Sequence, residues 1–153
     1  MKRIVIGADH GGFLLKESLK LFLQKKGYRV KDAGTYSTER CDYPKTAYAA
    51  AHEVSAGRYA KAVIVCKSGI GNSIVANKLR RVRAALCYNM KAARLSRLHN
   101  DSNVLVLGSL FVTHAQAKRI LSVWLSTKFE GGRHLRRLRQ IQKIEEGIRC
   151  KGR

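Results

Sequence analysis

Apolar residues recur along this chain in two alternating patterns, short continuous runs of Val, Ile and Leu and longer stretches at helical spacing. Arg3-Ile4-Val5-Ile6-Gly7-Ala8 predicts a first strand. The stripe Phe13, Leu14, Leu15, Leu19, Phe22 and Leu23 predicts a helix that Gly27 stops. Tyr28–Asp32 is a short second strand, Thr35–Pro44 a polar loop, and Lys45–Ala56 a helix closed by Gly57. A third strand, Lys61–Val65, runs into a Ser/Gly loop and a helix over Ile74–Leu79. Strand four is expected at Arg83–Cys87, a helix at Lys91–Leu98, and strand five at Asn103–Leu107. Helices over Thr113–Thr127 and Arg133–Ile148 complete the pattern.

Strands that alternate with helices and are nearly all apolar belong to a parallel sheet covered on both faces. The expected fold is therefore α/β: three layers, Rossmann-like, five parallel strands in the flavodoxin-like order 2-1-3-4-5. Right-handed crossovers put its switch point between strands one and three. Ligands bind at the carboxyl ends of the strands beside such a point. Those ends carry Asp9-His10-Gly11-Gly12 and Cys66-Lys67-Ser68-Gly69.

The second of these loops is the more informative. A strand, a glycine-containing turn and a helix N-terminus together present outward N–H groups and a dipole that favours anions. A cysteine at the rim of that cradle is expected to have a lowered pKa and to react as thiolate.

Composition narrows the setting. The 153 residues suit one domain, 1–153, whose end (about 131–153) is a helix and basic tail. A 45% hydrophobic fraction and a single proline argue against disorder. No apolar run approaches the roughly 20 residues of a membrane span, and the N-terminus lacks the h-region of a signal peptide. Cys41, Cys66, Cys87 and Cys150 are scattered, which suits reduced thiols in a cytoplasm. A formal net charge of +21 attracts phosphorylated metabolites, nucleic acid and anionic membranes alike, so it does not choose among them.

Each candidate group has a plain structural reading beside the chemical one. Asp9 is either a helix N-cap or a functional carboxylate, and His10 a surface histidine or a ligand contact. Cys66 is a small buried hydrophobe or a base, whereas Cys41, Cys87 and Cys150 have no comparable setting. His99-Asn100-Asp101 follows a predicted helix and reads as a connecting turn or as the place of an acid catalyst. Arg133 and Arg137, four apart, share a helical face and can converge on one phosphate. Leu135, Leu138, Ile141, Ile144 and Ile148 form a stripe on that helix, packed on its own domain or docked on a partner subunit. His52 and His114 look like ordinary surface or packing residues. No His/Cys/Asp/Glu set has metal-ligand spacing, so no metal is expected. A GxGxxG fingerprint is missing after strand one, against an NAD enzyme.

Six blocks in order resemble the type B ribose-5-phosphate isomerases and the related galactose-6-phosphate isomerase subunits: Gly7-Ala8-Asp9-His10-Gly11-Gly12, Asp42-Tyr43-Pro44, Cys66 to Ser73, Ala76-Asn77-Lys78, Ser96 to Asp101, and Glu130 to His134. The resemblance runs from Lys2 to about Gly147. It implies interconversion of ribose 5-phosphate and ribulose 5-phosphate through an enediolate, without metal or organic cofactor. By that resemblance Cys66 moves the proton between C1 and C2, and the N–H groups of Ser68, Gly69, Ile70 and Gly71 face the developing oxyanion. His99 opens the furanose ring with Asp9, while Asn100 and Tyr43 hold the sugar. His10, Arg133 and Arg137 bind the phosphate, and Lys67 and Ser73 complete the expected substrate contacts. It further implies a homodimer, or a tetramer of two dimers, with composite sites.

The chain departs from the family pattern in three places. Lys67 replaces a glycine, which would strain the loop if that position had positive φ and would add a cation near Cys66. Ser68 replaces a threonine and keeps the hydroxyl. Leu110 stands where a phosphate-binding arginine is common, a contact Lys67 could replace. Two rival readings follow: an isomerase of a 6-phosphohexose such as allose or galactose 6-phosphate, and a nucleic-acid-binding protein on an inactive isomerase fold. The basic surface motivates the second, and an aromatic content of 7% gives it little stacking capacity.

Overall fold

The computed structural model describes residues 2–150, with side chains from 2 to 148. Its sheet has five parallel strands, β1 (Lys2–Ala8), β2 (Tyr28–Asp32), β3 (Ala62–Cys66), β4 (Ala84–Leu86) and β5 (Val104–Gly108). Between and after them lie α1 (Phe13–Lys25), α2 (Tyr43–Ser55), α3 (Ile70–Ala76), α4 (Met90–Asn100), α5 (His114–Ser126) and α6 (Arg133–Cys150). The expectation for the Cys150 thiol lies outside the described side chains.

The strand order is 2-1-3-5-4, not the expected 2-1-3-4-5. Apolar content explains the exchange. Every residue of β5 is buried, whereas the three residues of β4 are all half-buried. The strand with more to bury takes the inner place beside β3, and the short one takes the edge. The order 2-1-3 is unchanged, so the predicted switch point between β1 and β3 survives the correction.

Alternation along the strands divides the core in two. Ile4, Ile6, Val63, Val65, Leu105 and Leu107 pack with Leu15, Leu19 and Leu23 of α1 and Ile120, Leu121 and Trp124 of α5. Val5, Ile64 and Val106 face the alanines 47, 50 and 51 of α2. Those small residues let α2 lie close: a methyl group on Gly7 would sit 3.1 Å from Ala50 Cβ.

Two details of α1 differ from its predicted stripe. Leu14 is exposed, while Lys16 is fully buried. The Lys16 ammonium is 2.6 and 2.8 Å from the two carboxylate oxygens of Asp32 and 2.8 Å from Glu17. A buried charge needs such partners. At the other end of the chain, α6 touches its own body chiefly through α4 and leaves Ile141, Ile144 and Ile148 exposed. Between α6 and residues 77–85 runs an open groove of about 780 Å3.

Candidate active site

Three loops meet at the carboxyl edge of the sheet. After β1, Asp9 turns the chain as an N-cap, its Oδ1 accepting from the Gly12 N–H at 2.9 Å. Gly12 passes so close to β3 that a Cβ would fall 2.5 Å from Val65 O. His10 Nδ1 lies 3.2 Å from Cys41 N and 3.1 Å from Cys41 O, which anchors the ring to the loop that precedes α2.

The loop after β3 folds over Cys66. Gly69, at φ 81°, begins α3 four residues earlier than the apolar pattern suggested. That left-handed turn aims the Gly69 N–H at Cys66 Sγ, 3.0 Å away. Ser68 Oγ accepts from the Ile70 N–H at 3.2 Å, and Ser73 Oγ donates to Ile70 O at 2.8 Å. Tyr43 lies against Gly71, where a Cβ would meet its ring at 2.6 Å. The loops after β1 and β3 thus meet, and Tyr43 at the start of α2 lies beside them.

The thiol behaves differently from expectation. Cys66 is only 5% exposed. Burial pushes its pKa up, and the Asp9 carboxylate adds to the rise. The N–H groups of Gly69, Asn72 and Ser68 offset this only in part. Burial thus favours the thiol over the thiolate expected at a helix N-terminus. Lys67 does not counter this effect. Its side chain is laid over Gly11, which a Cβ would bring within 2.4 Å of Lys67 Cγ. Lys67 is also outside the positive-φ region, so the feared strain is not there; among the described non-glycine residues that region holds Arg81 and Asp101.

Sequence reasoning missed the third loop, because it placed β5 away from β3. Gly108 pairs with Cys66 across the sheet, and a Cβ on it would strike Ser68 O at 2.4 Å. Ser109 N–H donates to Cys66 O at 2.8 Å and Ser109 Oγ to Gly11 O at 2.7 Å, which ties all three loops together. Leu110 N–H donates to Lys67 O at 3.0 Å. Tyr88 OH reaches Ser68 O at 3.1 Å. The signal was a Gly-Ser pair ending an apolar run, Val104–Leu107, like the one that leads into Cys66.

His99 and Asn100 lie elsewhere. They form the last turn of α4, not a connecting turn, and Asp101 makes the turn at φ 43°. In a β-α-β unit the helix runs back against the strands, so its end lies at their amino edge. Arg83, just before β4, marks that edge: its Nε donates to Asn100 O at 3.0 Å. The 11 residues of α4 span about 16 Å. Cys66 and His99 of one chain are therefore at opposite edges of the sheet. Arg133 and His134, at the start of α6, stay with His99: the two imidazoles stack at 4.2 Å between centroids, and Arg133 Nε is 3.4 Å from His134 Nε2.

Glu130 joins the same cluster. Its Oε2 is 4.0 Å from His99 Nε2 and 3.8 Å from His134 Nε2. One donor atom from each of the three residues lies within 4.8 Å of the others. Along the chain only Glu130 and His134, four apart, are close; folding adds His99 from α4, so a candidate ligand group stands where the spacing led to no expectation of one.

A thiol under a backbone amide donor, beside a helix N-terminus at the switch point of a doubly wound parallel sheet, makes this an α/β protein with a candidate site at the carboxyl edge of its strands. The profile of the Ribose/Galactose Isomerase family matches residues 4–141, and the chain belongs to that family. It is 44% identical over 146 residues to ribose-5-phosphate isomerase B of Escherichia coli K12, covering 95% of this chain and 98% of that one. The structure of Clostridium thermocellum ribose-5-phosphate isomerase B superposes with a TM-score of 0.94 at 43% identity, over 95% and 99% of the two chains. Ribose-5-phosphate isomerase B of Mycoplasma genitalium, solved with bound ribulose-5-phosphate, superposes at 0.90 with 37% identity, over 94% and 96%.

Proposed function

We propose that this chain is an aldose–ketose isomerase that interconverts D-ribose 5-phosphate and D-ribulose 5-phosphate, with residues 1–153 as one catalytic domain working in the cytoplasm. The observation that carries the reading is Cys66 Sγ held under the Gly69 N–H at the β1/β3 switch point. The ribulose-5-phosphate held by the Mycoplasma genitalium relative supports the choice of sugar.

In the open-chain aldose, the Cys66 thiolate takes the proton from C2 and the electron pair moves through C1 onto the carbonyl oxygen. The backbone N–H groups of Ser68, Gly69, Ile70 and Gly71 turn toward this enediolate oxygen as charge develops. The same proton returns to C1 as the C2 hydroxyl gives its proton to O1, leaving the ketose. A thiol with a raised pKa is seldom ionised, but its thiolate is a stronger base, which suits abstraction from carbon.

The remaining roles divide between two chains. Asp9, His10, Tyr43, Lys67 and Ser73 stand at the Cys66 edge. His99 as the ring-opening acid–base group, Asn100 on the sugar, and Arg133 and Arg137 on the phosphate stand at the other. Cys66 can meet His99 only across a two-fold interface, so the working unit is an isologous dimer with two composite sites. The apolar groove beside α6 and the exposed Ile141, Ile144 and Ile148 are the surface we assign to it.

The deciding assay follows ribulose 5-phosphate formation from ribose 5-phosphate by wild type and Cys66→Ala, with EDTA present and folding checked by circular dichroism. Loss of one general base predicts a fall of about 10²–10⁴ in kcat. No turnover by folded wild type, or faster turnover of a 6-phosphohexose, would sink the pentose reading.

A further inference from the structure

We propose that His99, Glu130 and His134 form an inhibitory Zn²⁺ site. Three separate constraints bring them together. His99 lies in the last turn of α4. The Glu130 N–H donates to Leu98 O at 3.1 Å, which clamps the loop against the residue before His99. The His134 N–H donates to Gly131 O at 3.0 Å, so the first turn of α6 sets its ring over that of His99.

The gaps between the donor atoms are the telling feature. Distances of 3.8 and 4.0 Å from the Glu130 carboxylate to the two Nε2 atoms are too long for hydrogen bonds. Ligand atoms about 2.0–2.1 Å from a tetrahedral zinc are roughly 3.3 Å apart, so the two Glu130 edges need to contract by under 1 Å each, and the edge between the histidines, within 4.8 Å, by up to ~1.5 Å. Two imidazoles and a carboxylate are the donors that zinc takes at three-coordinate protein sites, with the fourth position left for water or a substrate oxygen. Two movements are needed. The rings stack with planes 11° apart and must tilt so that their lone pairs converge. Arg133, which is exposed, must swing away from His134 Nε2.

The consequence rests on the isomerase reading. A zinc ion on His99 Nε2 removes the group assigned to ring opening, so the metal inhibits and a chelator restores turnover.

Binding is measured first, independently of turnover, by calorimetric titration of the metal-stripped full chain with ZnCl2. Co²⁺ absorption serves as a second probe of the ligand set. Wild type and Cys66→Ala should each bind one ion per chain. Glu130→Gln and His134→Gln should bind roughly 100-fold more weakly or not at all. His134 is buried and its replacement could unfold the chain, so Glu130→Gln, at an exposed position, carries the test in that case. Glu130→Gln should also keep its turnover in EDTA and lose its sensitivity to zinc. Full-strength binding by Glu130→Gln, binding that disappears in Cys66→Ala, or undiminished zinc inhibition of Glu130→Gln overturns the site. Zinc binding without turnover would retain the site and sink the isomerase reading; turnover without zinc binding would do the reverse.

Discussion

Cys66 is where local chemistry and burial pull in opposite directions. The helix N-terminus and its N–H groups favour the thiolate, as the sequence suggested, but at 5% exposure desolvation outweighs them. The direction sets a pH dependence. A thiol raised above the ordinary range gains its reactive form only as pH climbs through that raised value. Alkylation of Cys66 by iodoacetamide should therefore accelerate with a midpoint above that of a free cysteine. A midpoint below it would show that the loop, not burial, controls the thiol. Two of the three loops were legible, since Asp9, His10 and Cys66–Ser73 follow strand ends that the hydrophobic pattern locates directly; the Gly108-Ser109 loop was not. Lys67 was legible as a residue but not as a conformation, since the left-handed position of the loop belongs to Gly69.

At the scale of elements, the period of the helices and strands and the neighbours of β1 could be read, but not which strand lies beside β3 or what each helix buries. α1 shows the difference. Its stripe was visible, while the buried Lys16 was not, because the carboxylate that permits it comes from β2. Burial would raise the Asp32 pKa, and the Lys16 and Lys20 ammonium groups more than reverse this, so Asp32 lies below the usual carboxylate range. A lowered carboxylate stabilises the fold above its unfolded pKa and loses that contribution as pH falls through the folded one. Asp32→Asn should cost about 2 kcal/mol at neutral pH in urea unfolding. This is less than the loss expected when one partner of a buried pair is removed outright, because Glu17 still faces Lys16. The wild-type advantage should fade below the usual carboxylate range. A pH-independent difference would mean that packing, not charge, is what Asp32 supplies.

At the scale of the whole molecule, the question is whether one chain contains a site. In the proposed dimer each site takes Cys66 from one subunit and His99 from the other, so neither Cys66→Ala nor His99→Asn should turn over on its own. Mixing the two after denaturation and refolding should restore activity. A random mixture is half heterodimer, and each heterodimer has one intact site, so about a quarter of wild-type activity should return. No recovery would put both groups in one subunit. The groove predicts a companion result: Ile144→Asp should give a folded monomer by sedimentation, without isomerase activity.

The sequence by itself determined the α/β class, the strand–loop–helix unit around Cys66, and the position of the switch point. These depend on side-chain period and turn chemistry, which act over a few residues. Only the tertiary structure decided that β5 lies inside β4, that Ser109 locks three loops together, and that His99 gathers with Glu130 and His134 away from the thiol. Those outcomes follow from which strand has most apolar surface to bury and from the direction in which each helix returns across the sheet. Neither is a property of any local stretch.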